Sequence, residues 1–329
     1  MAGVFVLGCN SFAGSVFVDA ALSAGYRVWG ANRSPEPSAA FLPYKTNPRA
    51  AFYMFRQMDI NHDLAELCAW LAEVQPPFVV DFAGQGMVAE SWQDPAQWYR
   101  TNVVSKVELH EFLRRQRWLQ KYVRVSTPEV YGSTTNLIRE DHPYRPSTPY
   151  AVSHAAIDMS LTAFFTHYRF PVVLARFANF FGPGQQLYRL VPKAILCALT
   201  GRKLPLHGGG TSVRAFIHAR DVASALLATM RDGTPGEIYH FSPDRFQSIR
   251  EAVEIICARL GVEFARVVEV TPDRPAKDQA YLMDASKARA RLGWQPQITF
   301  EEGVDQTIEW IRANLDYLST LSWDYVHKP

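Results

Sequence analysis

The chain has little cysteine, almost no net charge and no long hydrophobic run. Its four cysteines, Cys9, Cys68, Cys197 and Cys257, lie far apart in 329 residues. No pair has metal-ligand or redox spacing, so neither a metal site nor a disulfide scaffold is expected. Free thiols suit a reducing compartment, and a cytoplasmic protein is the expectation. The formal net charge is +2, which gives nucleic acid and anionic membranes little to hold. No apolar run reaches the roughly 18 residues of a membrane span. Residues 4–8 before Cys9 lack the basic segment and apolar length of a lipoprotein signal. There is no internal repeat and no low-complexity tract.

What is present is the composition of an ordinary globular protein, 48% hydrophobic and 20% charged. The length suits a large α/β domain with a smaller second one. Residues 4–7 form a short apolar run ending at Gly8, the pattern of a buried parallel strand. Helical spacing follows over 12–24, and 26–30 reads as a second strand. Further helices are predicted over 64–74, 95–116 and 150–168, and strands over 78–82, 122–126 and 171–177. This alternation predicts a Rossmann-type, doubly wound parallel sheet over residues 1–178. After Asn179 the glycine and proline turns shorten the pieces, and 249–260 and 300–313 are helical by spacing. Residues 179–329 therefore read as mainly a smaller α/β domain, with part of 212–241 returning to the sheet.

The first turn reads Gly8-Cys9-Asn10-Ser11-Phe12-Ala13-Gly14. Gly8 and Gly14 take the outer positions of a Gly-x-x-Gly-x-x-Gly spacing, and Ser11 replaces the middle glycine. Such a turn brings backbone N–H groups and a helix N-terminus to a pyrophosphate. Gly8, Asn10, Ser11, Phe12 and Gly14 are thus candidate dinucleotide contacts, with a plain strand-to-helix turn as the alternative. The second strand ends Trp29-Gly30-Ala31-Asn32-Arg33-Ser34. No carboxylate stands there to accept from a ribose 2′-hydroxyl, whereas Arg33 suits a 2′-phosphate, which favours NADP over NAD. Asp59 is placed either to contact adenine or to cap the next helix.

The predicted strand 122–126 runs into Ser126-Thr127-Pro128-Glu129-Val130-Tyr131-Gly132, and Tyr150 opens the helix that follows. A hydroxyl and a carboxylate at the carboxyl end of a sheet strand lie where α/β folds place their sites. At this point the sequence resembles the extended short-chain dehydrogenase/reductases, and within them the nucleotide-sugar 4,6-dehydratases. The resemblance spans nearly the whole chain. It includes Asp81-Phe82-Ala83-Gly84-Gln85, Thr101-Asn102-Val103, the Thr127/Glu129 segment, Tyr150 and Arg176-Phe177-Ala178-Asn179. It continues through Arg214-Ala215-Phe216-Ile217-His218, Asp273-Arg274-Pro275 with Asp278, and Leu292-Gly293-Trp294-Gln295-Pro296.

The resemblance implies that Tyr150 takes the C4 hydroxyl proton, Thr127 hydrogen-bonds the same oxygen, and Glu129 removes the C5 proton and helps water leave from C6. The product would be a 4-keto-6-deoxy sugar nucleotide. Ala83, Gln85, Asn102, Tyr150 and His154 would join the cofactor contacts. Gln85, Asn179, Arg214 and Arg274 would hold substrate, with the backbone of Leu190 and Val191 near its base. A homodimer through helices 95–116 and 150–168 is also implied.

Two departures stand out. Pro128 occupies the position where glucose-type dehydratases carry an acidic aspartate. The GDP-mannose type manages without it, and the 29–34 turn and Gln85 also resemble that branch, which favours a GDP-linked sugar. The family's Tyr-x-x-x-Lys reads Tyr150-Ala151-Val152-Ser153-His154. The lysine normally lowers the tyrosine pKa, and moving a phenol from about 10 to 7 takes about 4 kcal/mol. The alternatives within the family are a C4 epimerase, which Glu129 argues against, and a uronate decarboxylase. Outside it stands a cofactor-binding regulator with weakened catalysis.

Overall fold

The first strand, β1 (Gly3–Leu7), is apolar on both faces, and Val4, Phe5 and Val6 are wholly inaccessible. A strand with no polar face is stable only inside a sheet covered on both sides. The computed structural model describes residues 1–272 and 279–327 and builds such a sheet around β1. The other strands are β2 (Arg27–Asn32), β3 (Tyr53–Gln57), β4 (Phe78–Asp81), β5 (Lys121–Ser126), β6 (Val172–Phe177) and β7 (Ile238–Phe241). Their order across the sheet is β7-β6-β5-β4-β1-β2-β3, all parallel. The fold is therefore α/β, Rossmann-type and doubly wound. The chain winds outward from β1 in one direction and from β4 in the other. The crevice between the carboxyl ends of β1 and β4 is the place where such sheets bind ligands.

The helices are α1 (Phe12–Ser23), α2 (Leu64–Val74), α3 (Pro95–Tyr99), α4 (Ser105–Leu113), α5 (Pro149–Tyr168), α6 (Leu190–Thr200), α7 (Ala219–Asp232), α8 (Ile249–Leu260) and α9 (Phe300–Ala313). One sheet face is covered by α1 and α7, whose Phe17, Ala21, Val222 and Leu226 share a core with Val6 and Val123. The other is covered by α2, α4 and α5, through Trp70, Leu109 and Ile157. A separate core gathers Leu196 of α6, Ile256 of α8 and Val304 of α9. Capping boxes at Ser248/Glu251 and Thr299/Glu302 start α8 and α9, satisfying the first free N–H groups of each helix.

The periodicity over 95–116 predicts one helix, and the structure interrupts it. A π-helical turn, Arg100–Val104, separates α3 from α4. The extra residue rotates the face of the helix, and Asn102 and Lys106 are both completely buried. The second strand begins and ends later than the spacing indicates, reaching Asn32. Strand β3 has no counterpart among the predicted strands. It is an edge strand whose exposed residues hide the apolar alternation of Tyr53 and Phe55. The segment after 212 does return to the sheet, since α7 packs on α1 and β7 lies beside β6. No described helix is long and apolar enough to cross a membrane.

Candidate active site

The geometry starts from Gly8. Its φ is +74°, and a Cβ there would lie 2.8 Å from the Ala83 nitrogen. Only glycine lets the turn after β1 approach the turn after β4 this closely. Gly14 has a different role. A Cβ on it would sit 2.3 Å from the Gly8 carbonyl oxygen, so it is a packing residue of α1. Ser11 caps α1, its hydroxyl accepting from the Gly14 N–H at 3.1 Å. The helix N-terminus thus opens on a cavity of 350 Å³ lined by Gly8, Asn10, Ser11, Arg33 and Asp59. Asn32, Arg33 and Ser34 form part of its wall. Two nearby acids are engaged elsewhere. Glu36 accepts from Tyr44 at 2.8 Å and from Lys45 at 2.6 Å. Asp59 Oδ1 accepts from the Asn61 N–H at 2.7 Å. The crevice, the capped N-terminus and the close backbone approach fit a dinucleotide.

A second cavity of 590 Å³ adjoins the first and shares Ser11, Arg33, Ala83, Gln85 and Gln186 with it. Its walls bring together Phe12, Thr127, Glu129, Tyr150, His154, Asn179 and Leu190. Thr127 follows β5 and caps a 3-10 turn, Pro128–Tyr131, by accepting from the Glu129 N–H at 3.3 Å. Pro128 opens that turn, where no N–H is needed. Thr148 caps α5, so Tyr150 enters its first turn facing β5. The Thr127 hydroxyl and the Tyr150 phenol line the same cavity. Burial pushes the Tyr150 phenol above its ordinary value and the Glu129 carboxylate adds to that, while Thr127, Arg189 and Arg124 oppose it. The phenol and the carboxylate therefore face one space and sense each other's charge.

Several expected residues sit elsewhere. Asn102 lines neither cavity and is completely buried. It acts on the Gln85 loop, accepting from the Gln85 N–H at 2.7 Å and donating to the Gln85 carbonyl at 3.1 Å. Val191 turns into the core of the second unit. Arg214 donates to the Val213 and Gln279 carbonyls at 2.7 and 3.1 Å, with its guanidinium 4.3 Å over the Tyr281 ring. Tyr281 lines the larger cavity, its hydroxyl donating to Asn179 Oδ1 at 3.2 Å. Arg274, with Asp273, Pro275 and Asp278, lies outside the described residues.

Sequence reasoning missed the floor of the site. Arg124, at the middle of β5, is 1% exposed and lines the larger cavity. Its Nη2 lies 3.1 Å from His154 Nδ1, and its Nη1 lies 3.5 Å from Asp81 Oδ2. Both Asp81 oxygens receive Lys106 Nζ, and Tyr122 donates to Oδ2 at 2.6 Å. An arginine inside a run as apolar as Tyr122-Val123-Arg124-Val125 was the signal to follow. It also missed the tail. Tyr325 and Val326 line the larger cavity, Tyr325 packs on Tyr188 at 5.1 Å, and His327 stacks on Trp98 at 5.1 Å.

A family model described as GDP-mannose 4,6 dehydratase matches residues 5–307. Among curated proteins, the dTDP-glucose 4,6-dehydratase of Neisseria gonorrhoeae is 35% identical over 290 residues, covering 82% of this chain and 82% of that protein. The enzyme of the same name from Xanthomonas campestris pv. campestris is 33% identical over 342 residues, covering 98% and 95%. Among solved structures, DesIV from Streptomyces venezuelae, a dTDP-glucose 4,6-dehydratase with NAD bound, has a TM-score of 0.88 at 30% identity, covering 96% of this chain and 98% of that one. These relatives are of the dTDP type. They correct the leaning toward a GDP-linked sugar that Pro128 and the 29–34 turn suggested.

Four buried histidines give the stability of this chain a pH signature. Burial depresses His110 and His240 to about 3 and His218 to about 4, and holds His154 well below its ordinary value. An unfolded imidazole titrates near 6.5. Between about pH 6.5 and 4.5 the unfolded chain takes up protons that the folded one refuses, so stability falls as pH falls. Each histidine contributes up to about 1.4 kcal/mol per pH unit. Urea denaturation at pH 7, 6 and 5 measures this, and His154→Gln should remove about a quarter of the histidine slope. A flat profile contradicts the reading.

Proposed function

The chain belongs to the nucleotide-sugar 4,6-dehydratases of the extended short-chain dehydrogenase/reductase family, and on that premise we propose that it converts a dTDP-linked hexose into the 4-keto-6-deoxy sugar nucleotide. The observation that carries this reading is the single cavity shared by Tyr150, Thr127 and Glu129. Tyr150 receives the proton of the sugar C4 hydroxyl. Thr127 hydrogen-bonds that oxygen and fixes its direction. A nicotinamide dinucleotide, when bound, supplies the hydride acceptor for C4 and the donor for C6. With C4 oxidised to a ketone, the C5 proton becomes acidic and Glu129 takes it. The same carboxyl then gives the proton to the C6 hydroxyl, which leaves as water, and a solvent-derived proton returns to C5 when C6 receives its hydride. Pro128 has no side-chain acid, so base and acid work fall to one residue. The second core, built on α6, α8 and α9, is the substrate-binding domain, and it sends Leu190 from α6 into the cavity. Gln85, Asn179 and Tyr281 bound the sugar, and Tyr325 and Val326 close the cavity's mouth.

For the dinucleotide we infer NADP in preference to NAD. The wall at the end of β2 offers Arg33, and the nearby carboxylates of Glu36 and Asp59 are already engaged. For the assembly we infer a homodimer. On α5 the residues Val152, Ala156, Met159 and Ala163 follow helical spacing along the outer surface, with Val152 39% and Met159 61% exposed. Val104 and Tyr99 extend that apolar patch across the π-turn. A stripe of this size beside its own copy buries what water otherwise penalises.

Incubation with dTDP-glucose in D₂O should give a 4-keto-6-deoxy product with solvent deuterium at C5. Glu129→Gln should lower turnover about 10²–10⁴-fold while C4 oxidation survives, and Tyr150→Phe should remove C4 oxidation itself. A C4-inverted alcohol, or no turnover by folded, dinucleotide-loaded protein, overturns the reading. Arg33→Ala should weaken NADP binding about tenfold or more and leave NAD unaffected in calorimetry. Tighter binding of NAD by the unaltered protein rejects the NADP preference. Sedimentation at micromolar concentration should show a dimer that Met159→Arg dissociates; a monomer from the unaltered chain rejects it.

A further inference from the structure

The family lysine is missing, but its charge is not. Beneath Tyr150 the structure holds two cations against one carboxylate. Lys106 of α4 is completely buried and occupies both oxygens of Asp81 at the end of β4. Arg124 of β5 lies 3.5 Å from the same carboxylate. Tyr122, the other partner of Asp81, is neutral and donates to it. With Lys106 and Arg124 charged, the cluster carries one net positive charge, buried beside the cavity that Arg124 lines. Asp81 stays ionised in it. Burial alone would push its carboxyl up, and Lys106 and Arg124 together hold it below the usual range.

The charge is aimed at the site through His154. A guanidinium can only donate, so the 3.1 Å contact of Arg124 Nη2 with His154 Nδ1 makes that nitrogen the acceptor. The ring must then be the neutral tautomer with its proton on Nε2. Burial and the neighbouring Arg124 both disfavour a charged ring. His154 lines the cavity one helical turn after Tyr150, and the two rings lie 4.5 Å apart. A lysine at 154 would bring a third cation against a single carboxylate. A neutral imidazole polarised from behind by arginine avoids that repulsion and still presents an N–H donor.

We propose that Arg124 is the positioning residue that stands in for the missing lysine, fixing His154 as an Nε2–H donor and supplying from the β5 strand the positive charge that eases Tyr150 toward its phenolate. This rests on the proposed role of Tyr150 as the C4 base. The donor's target would be the Tyr150 oxygen or the nicotinamide-side ribose.

The test combines a static and a kinetic measurement. In ¹⁵N-histidine NMR spectra of the dinucleotide-loaded dimer at pH 8, assigned with His154→Gln, His154 should show a neutral Nε2–H tautomer. Arg124→Lys should keep it, and Arg124→Met should abolish the preference. The second readout is the pH dependence of nicotinamide reduction by dTDP-glucose in a single turnover. The charged groups whose fields act on Tyr150 and His154 are Glu129, Arg189, Arg176, Asp81, Lys106 and Arg124. Of these only Arg124 changes in the series. Arg124→Met should move the ascending limb up by about one pH unit or more and slow the step at pH 7 about tenfold. Arg124→Lys should leave the limb in place, and Arg124→Met with His154→Lys should restore it. An unmoved limb in folded Arg124→Met, or a His154 that is charged or carries its proton on Nδ1 in the unaltered protein, overturns the proposal. If Arg124→Met does not fold, the tautomer of the unaltered protein and the Arg124→Lys limb decide. The tautomer is read without turnover, so failure of the sugar chemistry and failure of the arginine proposal are distinguishable.

Discussion

The Asp81 carboxylate is the interaction on which the rest of the site depends. It has no access to water, and it joins three elements: β4 that carries it, α4 through Lys106, and β5 through Arg124 and Tyr122. Through Arg124 it reaches a fourth, α5, at His154. Removing one partner of such a pair leaves an uncompensated buried charge, which costs about 3–5 kcal/mol. The carboxyl ends of β4 and β5 and the start of α5 are therefore held in a single arrangement. Those are the three places that contribute Gln85, Thr127 and Tyr150.

A second buried cluster lies alongside. Asp158 of α5 accepts from Ser126 at 2.5 Å and pairs with Arg176 of β6 at 3.0 Å, and Arg176 also reaches Tyr131 and Tyr144. It pins the end of β5 and the turn after it from the other side. Glu129 lies on that turn, between Thr127 and Tyr131. The Glu129 carboxylate is half-buried but its backbone is fastened at both ends. The proposed work of taking a proton at C5 and returning it at C6 calls for such fixed geometry.

The outline of this molecule was readable from the amino acids because it rests on local signals. An apolar run, a glycine and a helical period define β1 and α1. Proline and glycine breaks mark the second unit. Thr127, Glu129 and Tyr150 stood out because a hydroxyl, a carboxylate and a phenol follow a strand end in sequence as well as in space. What stayed hidden depends on distant pairings. Nothing near Lys106 in sequence shows that a π-turn will rotate it onto Asp81, 25 residues earlier. Asn102 looked like a cofactor contact and is a brace for the Gln85 loop, because the same turn buries it. Arg214 is bonded to two carbonyls and packed on the Tyr281 ring, contacts that no local pattern announces. His154 stands where the family carries lysine, and its partner on β5 ties a neutral imidazole to a buried cation.

The most direct measurement is a crystal structure of the protein with its dinucleotide and a dTDP-hexose that cannot turn over. The account predicts the sugar ring in the 590 Å³ cavity, its C4 oxygen hydrogen-bonded by both Tyr150 and Thr127 and its C5 hydrogen facing Glu129. A ring bound outside that cavity, or one whose C5 faces away from the carboxylate, contradicts it.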